Sequence, residues 1–258
     1  MNQIKAYFRE LVLEEKNRKS KTVLILPLVM GIVVSYVVKD LIYVNFGGTR
    51  TSLFTLTCAC LWIGIFNSIQ SICSIRGRIK IQYMQGGSIS AFVIANVLYQ
   101  LILSVIQSVL ITVVFCLIAG MPEQGVFFNP SVEYLILIFL MIFSSDMLGL
   151  LISSFSRDTA FAMTLMPFFL VTEMIFSNAL FELNEVLDWV AVLMLSRWGV
   201  DGFGATAGME SEAIFPEITY TCNPDHFAVV CLVLIGFSIM YILLSILRLK
   251  QIDKERLF

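Results

Sequence analysis

An all-α integral membrane protein with six transmembrane helices is what this sequence predicts, and three observations carry the prediction. Of 258 residues, 58% are hydrophobic and only 14% charged, far from the balance of a soluble domain. The apolar residues gather into six runs near or above the roughly 20 that a helix needs to cross the hydrocarbon core. The charges lie between these runs and are unevenly shared.

Along the chain, Ile4, Tyr7, Phe8, Leu11 and Val12 repeat at helical spacing, with Lys5, Arg9, Glu10 and Glu14 on the other face, which predicts an amphipathic helix lying in the interface. The basic residues Lys16, Arg18, Lys19 and Lys21 precede the first span, Val23 to Val38, whose short length is extended by Tyr36 and a snorkelling Lys39. The second span is predicted from Leu53 to Ile75. The third runs from about Ile89 to Ala119, longer than a bilayer requires, and Gly120-Met121-Pro122 ends it. Val132 to Phe155 and Thr159 to about Phe181 form a tight hairpin through Ser156-Arg157-Asp158. The mixed segment from about 184 to 225 holds apolar patches too short to cross and predicts re-entrant or surface-lying helices, and His226 to Leu247 is the sixth span. The opening residues lack the short basic region and apolar core of a cleavable signal.

Placing both termini on one side puts six basic residues before the first span, three after the second, one after the fourth and four in the tail on that same side, or 14 of the 17. Only Lys39, Arg50 and Arg197 fall opposite. The positive-inside tendency then makes both termini cytoplasmic. The formal net charge of −2 gives no cause to expect a nucleic-acid partner. The six cysteines carry no paired metal spacing, and only Cys222 falls in a predicted exposed loop.

The polar break Ile75 to Ser88 carries Arg76, Arg78 and Lys80 with no acid among them, and Ile75, Ile79 and Tyr83 recur at helical spacing. This predicts a short helix along a membrane face, ended by Gly86-Gly87. By charge alone it is equally well a topology signal. The neighbouring motifs are Gly86-Gly87-Ser88-Ile89-Ser90-Ala91-Phe92, Leu148 to Phe155 at the hairpin, Ile175 to Phe181, and Ser196-Arg197-Trp198-Gly199-Val200-Asp201. In their order and spacing, across essentially the whole chain, they resemble the type 2 family of ABC-transporter permeases, with an ABCG-like transmembrane domain.

That resemblance implies a connecting helix and basic run over residues 1–22, and a permease domain over 23–258 with a coupling helix at about 75–87. The coupling residues would be Arg76, Arg78, Ile79, Lys80, Gln82, Tyr83 and Gly86. The family usually has acidic residues near Ile75 and Gln82, and their absence implies a basic, polar docking surface and an acidic groove on the partner. It further implies a plasma-membrane exporter, dimeric with a second permease copy or a homologue. The second and fifth spans would line a substrate cavity through Ile63, Phe66, Asn67 and Gln70 and through Pro167, Phe168, Val171, Glu173 and Phe176. No Gly-x-x-x-x-Gly-Lys-Ser/Thr loop is present, so ATP and Mg would belong to a separate cytoplasmic ATPase, and no metal or other cofactor is expected in this chain.

Two carboxylates lie within spans, where acids are costly and point to a cavity or a helix contact. Asp146 beside Ser144 and Ser145 reads as glue between helices, and Glu173 as the functional one. Asn96, Gln100 and Gln107 share a helix face and read as a packing stripe, and Pro167 as a kink or hinge. The rival reading is an integral-membrane enzyme such as an intramembrane hydrolase. Its means are poor: the single histidine is His226, there is no Gly-x-Ser-x-Gly or His-Glu-x-x-His, and an aspartyl site would have to pair Asp146 with Glu173. A channel or secondary transporter would leave the long amphipathic start unexplained, and no inverted repeat is visible.

Overall fold

A computed structural model describes residues 2–18, 22–122, 124–180, 185–209 and 222–251. Among them all regular structure is helical: α1 (Asn2–Arg18), α2 (Thr22–Val38), α3 (Phe46–Ser68), α4 (Arg76–Met84), α5 (Ile89–Ile118), α6 (Pro130–Phe155), α7 (Thr159–Ile175), α8 (Glu185–Ala191), α9 (Leu195–Thr206) and α10 (Pro224–Leu249), with a 3-10 turn at Cys73–Ile75. Four stretches are long and apolar enough to cross a membrane: the one opening with α3, then α5, α6 and α10. The chain is therefore a multi-pass membrane protein. The helices α2 and α7 are apolar too, but at 17 residues each they reach only about 25 Å.

Most boundaries lie within a few residues of expectation, and α3 is the exception. It starts at Phe46, seven residues before the predicted Leu53, and stops at Ser68. Its polar opening is helical because Asn45 caps it, accepting from Gly48 N. Thr51, Ser52, Thr55 and Thr57 return their hydroxyls to carbonyls one turn back. Helix α7, the predicted fifth span, is also shorter than expected, ending at Ile175; Phe181 lies outside the described residues.

Helix α6 is the centre of the bundle. It packs on α3, α5, α9 and α10, and most of its side chains are buried. Small residues permit the tightest seam, between α3 and α6. A Cβ on Gly64 would come within 2.5 Å of Ile142 O, and one on Gly149 within 2.8 Å of Ile65 O. Tyr134 of α6 stacks with Phe115 of α5 and lies against Phe203 of α9, ring centroids 5.6 and 5.3 Å away, and receives a hydrogen bond from the Tyr43 hydroxyl at 2.9 Å. Ser144 Oγ donates to Leu234 O of α10 at 3.0 Å and lies 3.0 Å from Ser238 Oγ.

The amides of α5 are indeed a packing stripe. Asn96, Gln100 and Gln107 are all buried, and Gln107 exchanges hydrogen bonds with Asn67 of α3 while donating to Val23 O of α2 at 2.9 Å. Of the segment from about 184 to 225, α9 is not surface-lying: Gly199 and Gly202 let it press on Met141 and Leu137 of α6, and most of it is buried. By contrast α8 exposes Leu187, Trp189 and Val190.

One loop depends on a single carboxylate. Glu133, in the first turn of α6 and fully buried, accepts from the backbone N–H groups of Val126, Phe127 and Phe128 at 3.1, 2.6 and 2.7 Å. The two aromatic side chains are thereby held outward. Replacing Glu133 by Ala leaves three buried or half-buried donors without an acceptor, a loss of about 2–3 kcal/mol. A Glu133→Ala chain should show a clearly lower unfolding temperature in detergent, and Glu133→Gln a smaller drop.

Candidate functional site

The polar break becomes a nine-residue helix, α4, set apart from the spans and held by three neighbours. On the α1 side, Tyr7 meets Phe92 edge-to-face at 5.7 Å, Arg78 pairs with Glu10 at 2.9 Å, and Gln3 accepts from Ser88 N at 3.1 Å. Ser88 caps α5, accepting from Ala91 N, while Gly86 takes the left-handed φ of 93° that ends α4. A Cβ on Gly87 would lie 2.6 Å from the Tyr7 hydroxyl. These contacts explain the Gly-Gly-Ser-Ile motif: it lets α1 lie flat across the junction of α4 and α5. Underneath, Ile79 joins Ile72, Ile89, Phe92, Val93, Leu150 and Leu249 in a buried cluster.

The third neighbour is the end of α6. Ser153 Oγ accepts from Ile72 N and Cys73 N, both at 3.0 Å, and Arg76 Nη1 donates to Ser154 O at 2.9 Å and Ser156 O at 3.0 Å. The surface of α4 is thus not the basic, polar one expected from sequence. Arg76 reaches into the protein, Arg78 is spent partly on Glu10, and Lys80 is buried. Gln82 and Tyr83 are half-buried. What faces outward beside Arg78 is Gly77, Ile81 (52% exposed), Met84 (71%) and Gln85. The sequence reading missed Ile81 and Met84 because it sought charges; their i, i+3 spacing was the available signal.

The proposed cavity residues separate by helix face. On α3, Ile63 is buried at 1% while its neighbour Trp62 is exposed, so the open stripe is Trp62 and Phe66, in step with the helix period, continued by the exposed Gln70 in the turn after Ser68. The register expected for Ile63 is off by one residue. Asn67 is half-buried and spent on Gln107. On α7, which packs beside α3, Pro167, Phe168 and Val171 are exposed, Phe168 by 67%. Phe176 is half-buried. The helix runs through Pro167 without interruption.

Glu173 is turned away from that face. Only 4% exposed, it accepts from Ser196 N at 2.9 Å, and Ser196 Oγ donates back to Glu173 O, so the carboxylate caps the first turn of α9. The Ser196-Arg197-Trp198 motif is a set of ties. Arg197 donates to the carboxylate and carbonyl of Asp188 in α8, and Trp198 Nε1 donates to Val192 O at 2.8 Å. Glu173→Ala removes the cap and should cost about 1 kcal/mol, seen as a modest fall in thermal stability; Glu173→Gln keeps an acceptor oxygen and should fall less.

Asp146 lies buried at the α3–α6 seam. Its carboxylate faces Asn67 but makes no hydrogen bond of good geometry among the described residues; of the two serines beside it, Ser144 bonds across to α10 and Ser145 to Met141 O of its own helix. Asp146 and Glu173 have different neighbours and form no aspartyl pair. His226 Nε2 lies 2.8 Å from Asp201 Oδ2, joining α10 to α9. Burial raises the Asp201 carboxyl above its ordinary value, and His226 and Arg197 oppose that shift.

Comparison with known proteins agrees with this architecture. Over 161 residues, 61% of this chain, the sequence is 25% identical to the ABC transporter ATP-binding/permease protein Rv1747 of Mycobacterium tuberculosis. The match spans about a fifth of that relative's length. The family model described as ABC-2 type transporter matches residues 2–206, taking in α1, α4 and the α3–α7 face, and by that match the chain belongs to the ABC-2 type transporter family, as a membrane-spanning permease component.

Proposed function

We propose that this chain is the permease subunit of an ATP-driven exporter, with α4 as the coupling helix that docks on a separate cytoplasmic ABC ATPase. The observation that carries the reading is the placement of α4: it is a separate nine-residue helix parted from α3 by a 3-10 turn, it is seated on α1 and the end of α6, and it leaves Ile81 and Met84 uncovered. Six crossings follow if α2 and α7 span a thinned or locally adapted bilayer. Both termini and α4 are then cytoplasmic, in agreement with the basic residues of the chain, and the site of action is the plasma membrane.

The second part of the proposal is a dimer, with another copy or a homologue, facing across the open stripe of α3 and α7. Trp62, Phe66, Gln70, Pro167, Phe168 and Val171 line the substrate path there. A mostly apolar wall with an amide suits an amphipathic substrate. Ile63 and Glu173 do not belong to that wall, and Asn67 and Phe176 border it.

Purification of the tagged chain from its own membranes tests the reading. A Walker-motif ATPase should accompany it in fixed ratio, and ATP hydrolysis by that complex should be vanadate-sensitive. Recovery of the chain with no such ATPase would overturn the reading of a separate ATPase partner docked on α4.

A further inference from the structure

We propose that Arg76 is a positioning residue that makes α4 and the α6–α7 hairpin one rigid lever. Displacement of α4 is thereby delivered to α7 rather than to the helices adjacent to it in sequence. The inference rests on the reading of α4 as the coupling helix. Its basis is an asymmetry in how α4 is held.

Backward along the chain, α4 is separated from α3 by the turn over residues 69–72 and the 3-10 turn. Forward, it is separated from α5 by Gly86, in the left-handed region, and Gly87. Both are places where a backbone can bend. Across the fold the connection is stiff. The last carbonyls of a helix have no partner within it and carry the negative end of its dipole. Arg76 places one guanidinium nitrogen on two carbonyls at the end of α6, those of Ser154 and Ser156, in charge-assisted hydrogen bonds. Ser153 holds the two N–H groups that lead into the 3-10 turn, and Ile72, Ile79 and Leu150 fill the space between.

Beyond Ser156 only Arg157 and Asp158 remain before α7, and Asp158 caps that helix, accepting from Phe161 N at 2.7 Å. A turn that short and that well capped passes on a push instead of absorbing it. What moves at its far end is the exposed face of Phe168 and Val171. By contrast, the Arg78–Glu10 pair toward α1 is solvent-exposed on both sides and holds weakly.

Distance measurement by electron spin resonance reads the lever directly. Nitroxides are attached through Gln85→Cys and Phe161→Cys, with Cys58, Cys116, Cys222 and Cys231 replaced by alanine, in the complex of full chain and ATPase. In the parent the separation should be narrow and should change by no more than about 2 Å between the nucleotide-free state and the state trapped with ATP and vanadate, the scale of packed-helix shifts. Arg76→Ala should broaden it and make it differ between the two states by about a helical turn, ~5 Å, and Arg76→Lys should restore a narrower distribution. A helix that was merely destabilised would not separate the two states. Arg76→Ala traces that overlay the parent in both states overturn the proposal. So does a parent separation that itself changes by a turn on trapping, which decides the matter even if Arg76→Ala accumulates poorly. If no ATPase accompanies the chain, the coupling-helix reading fails on its own; the clamp is then read from the chain alone, where Arg76→Ala must still broaden the distribution.

Discussion

Replacing Ile81 or Met84 by Glu should separate this chain from its ATPase while leaving its own fold intact. The two side chains are 52% and 71% exposed, so a charge there stays in contact with water and the stability of the chain should change by less than about 0.5 kcal/mol, as for surface sites generally. In a docked groove the same charge is buried without a partner. Truncating a central interface anchor costs roughly 2 kcal/mol or more, and a buried, unpaired charge costs still more. The expected result is a loss of ATPase recovery of at least about thirtyfold at that energy, with the thermal midpoint of the isolated chain unchanged. Arg78→Glu should do less, because its partner is Glu10 in the same chain. Equal recovery of the ATPase by Met84→Glu and by the parent chain would show that α4 docks by another face or not at all.

The second large effect belongs to the α3–α6 seam. A Cβ at Gly64 meets Ile142 O at 2.5 Å, Ser145 Cβ at 2.5 Å and Asp146 N at 2.9 Å. Two of these atoms are backbone and cannot swing aside, so the helices must part. Parting them loosens the Ser68 Oγ hydrogen bond to Asp146 O, 2.6 Å long, and opens the central seam of the bundle. Overpacking of a close-packed core costs about 1–3 kcal/mol for added methylenes, occasionally more, and backbone contact places Gly64→Val at or above the top of that range. The variant should give little monodisperse protein on fluorescence-detected size exclusion. Gly236→Val, on α10 where a Cβ meets nothing within 4 Å, is the matched control and should behave as the parent. Normal yield of Gly64→Val would mean that the seam is looser than the geometry requires.

The helices, their order and the separateness of α4 were all legible in the residues, because hydropathy and helical spacing are local properties and a bilayer selects for them strongly. Local chemistry also placed Gly86-Gly87 at the end of α4 and the Ser156-Arg157-Asp158 turn before α7. The start of α3 was misread, since Gly47, Gly48, Arg50 and three hydroxylated residues, Thr49, Thr51 and Ser52, weaken hydropathy although the hydroxyls bond to carbonyls one turn back and are compatible with a helix.

Facing and partnership were settled by the tertiary structure alone. A carboxylate within a span is costly wherever it points, so the residues could mark Glu173 as important but not say that the first turn of α9 would satisfy it. Trp62 and Ile63 are adjacent and both apolar; only the position of α6 decides which of them is buried. Three cations in a polar break read alike in sequence, yet Arg76 serves the last carbonyls of a helix 78 residues away, Arg78 a surface pair and Lys80 the interior. Sequence determined that this chain crosses a membrane as a set of apolar helices and that a short polar helix follows α3, because those properties depend on neighbours a few residues away. Which side chains remain to meet a partner or a substrate depended on how distant helices consume the rest.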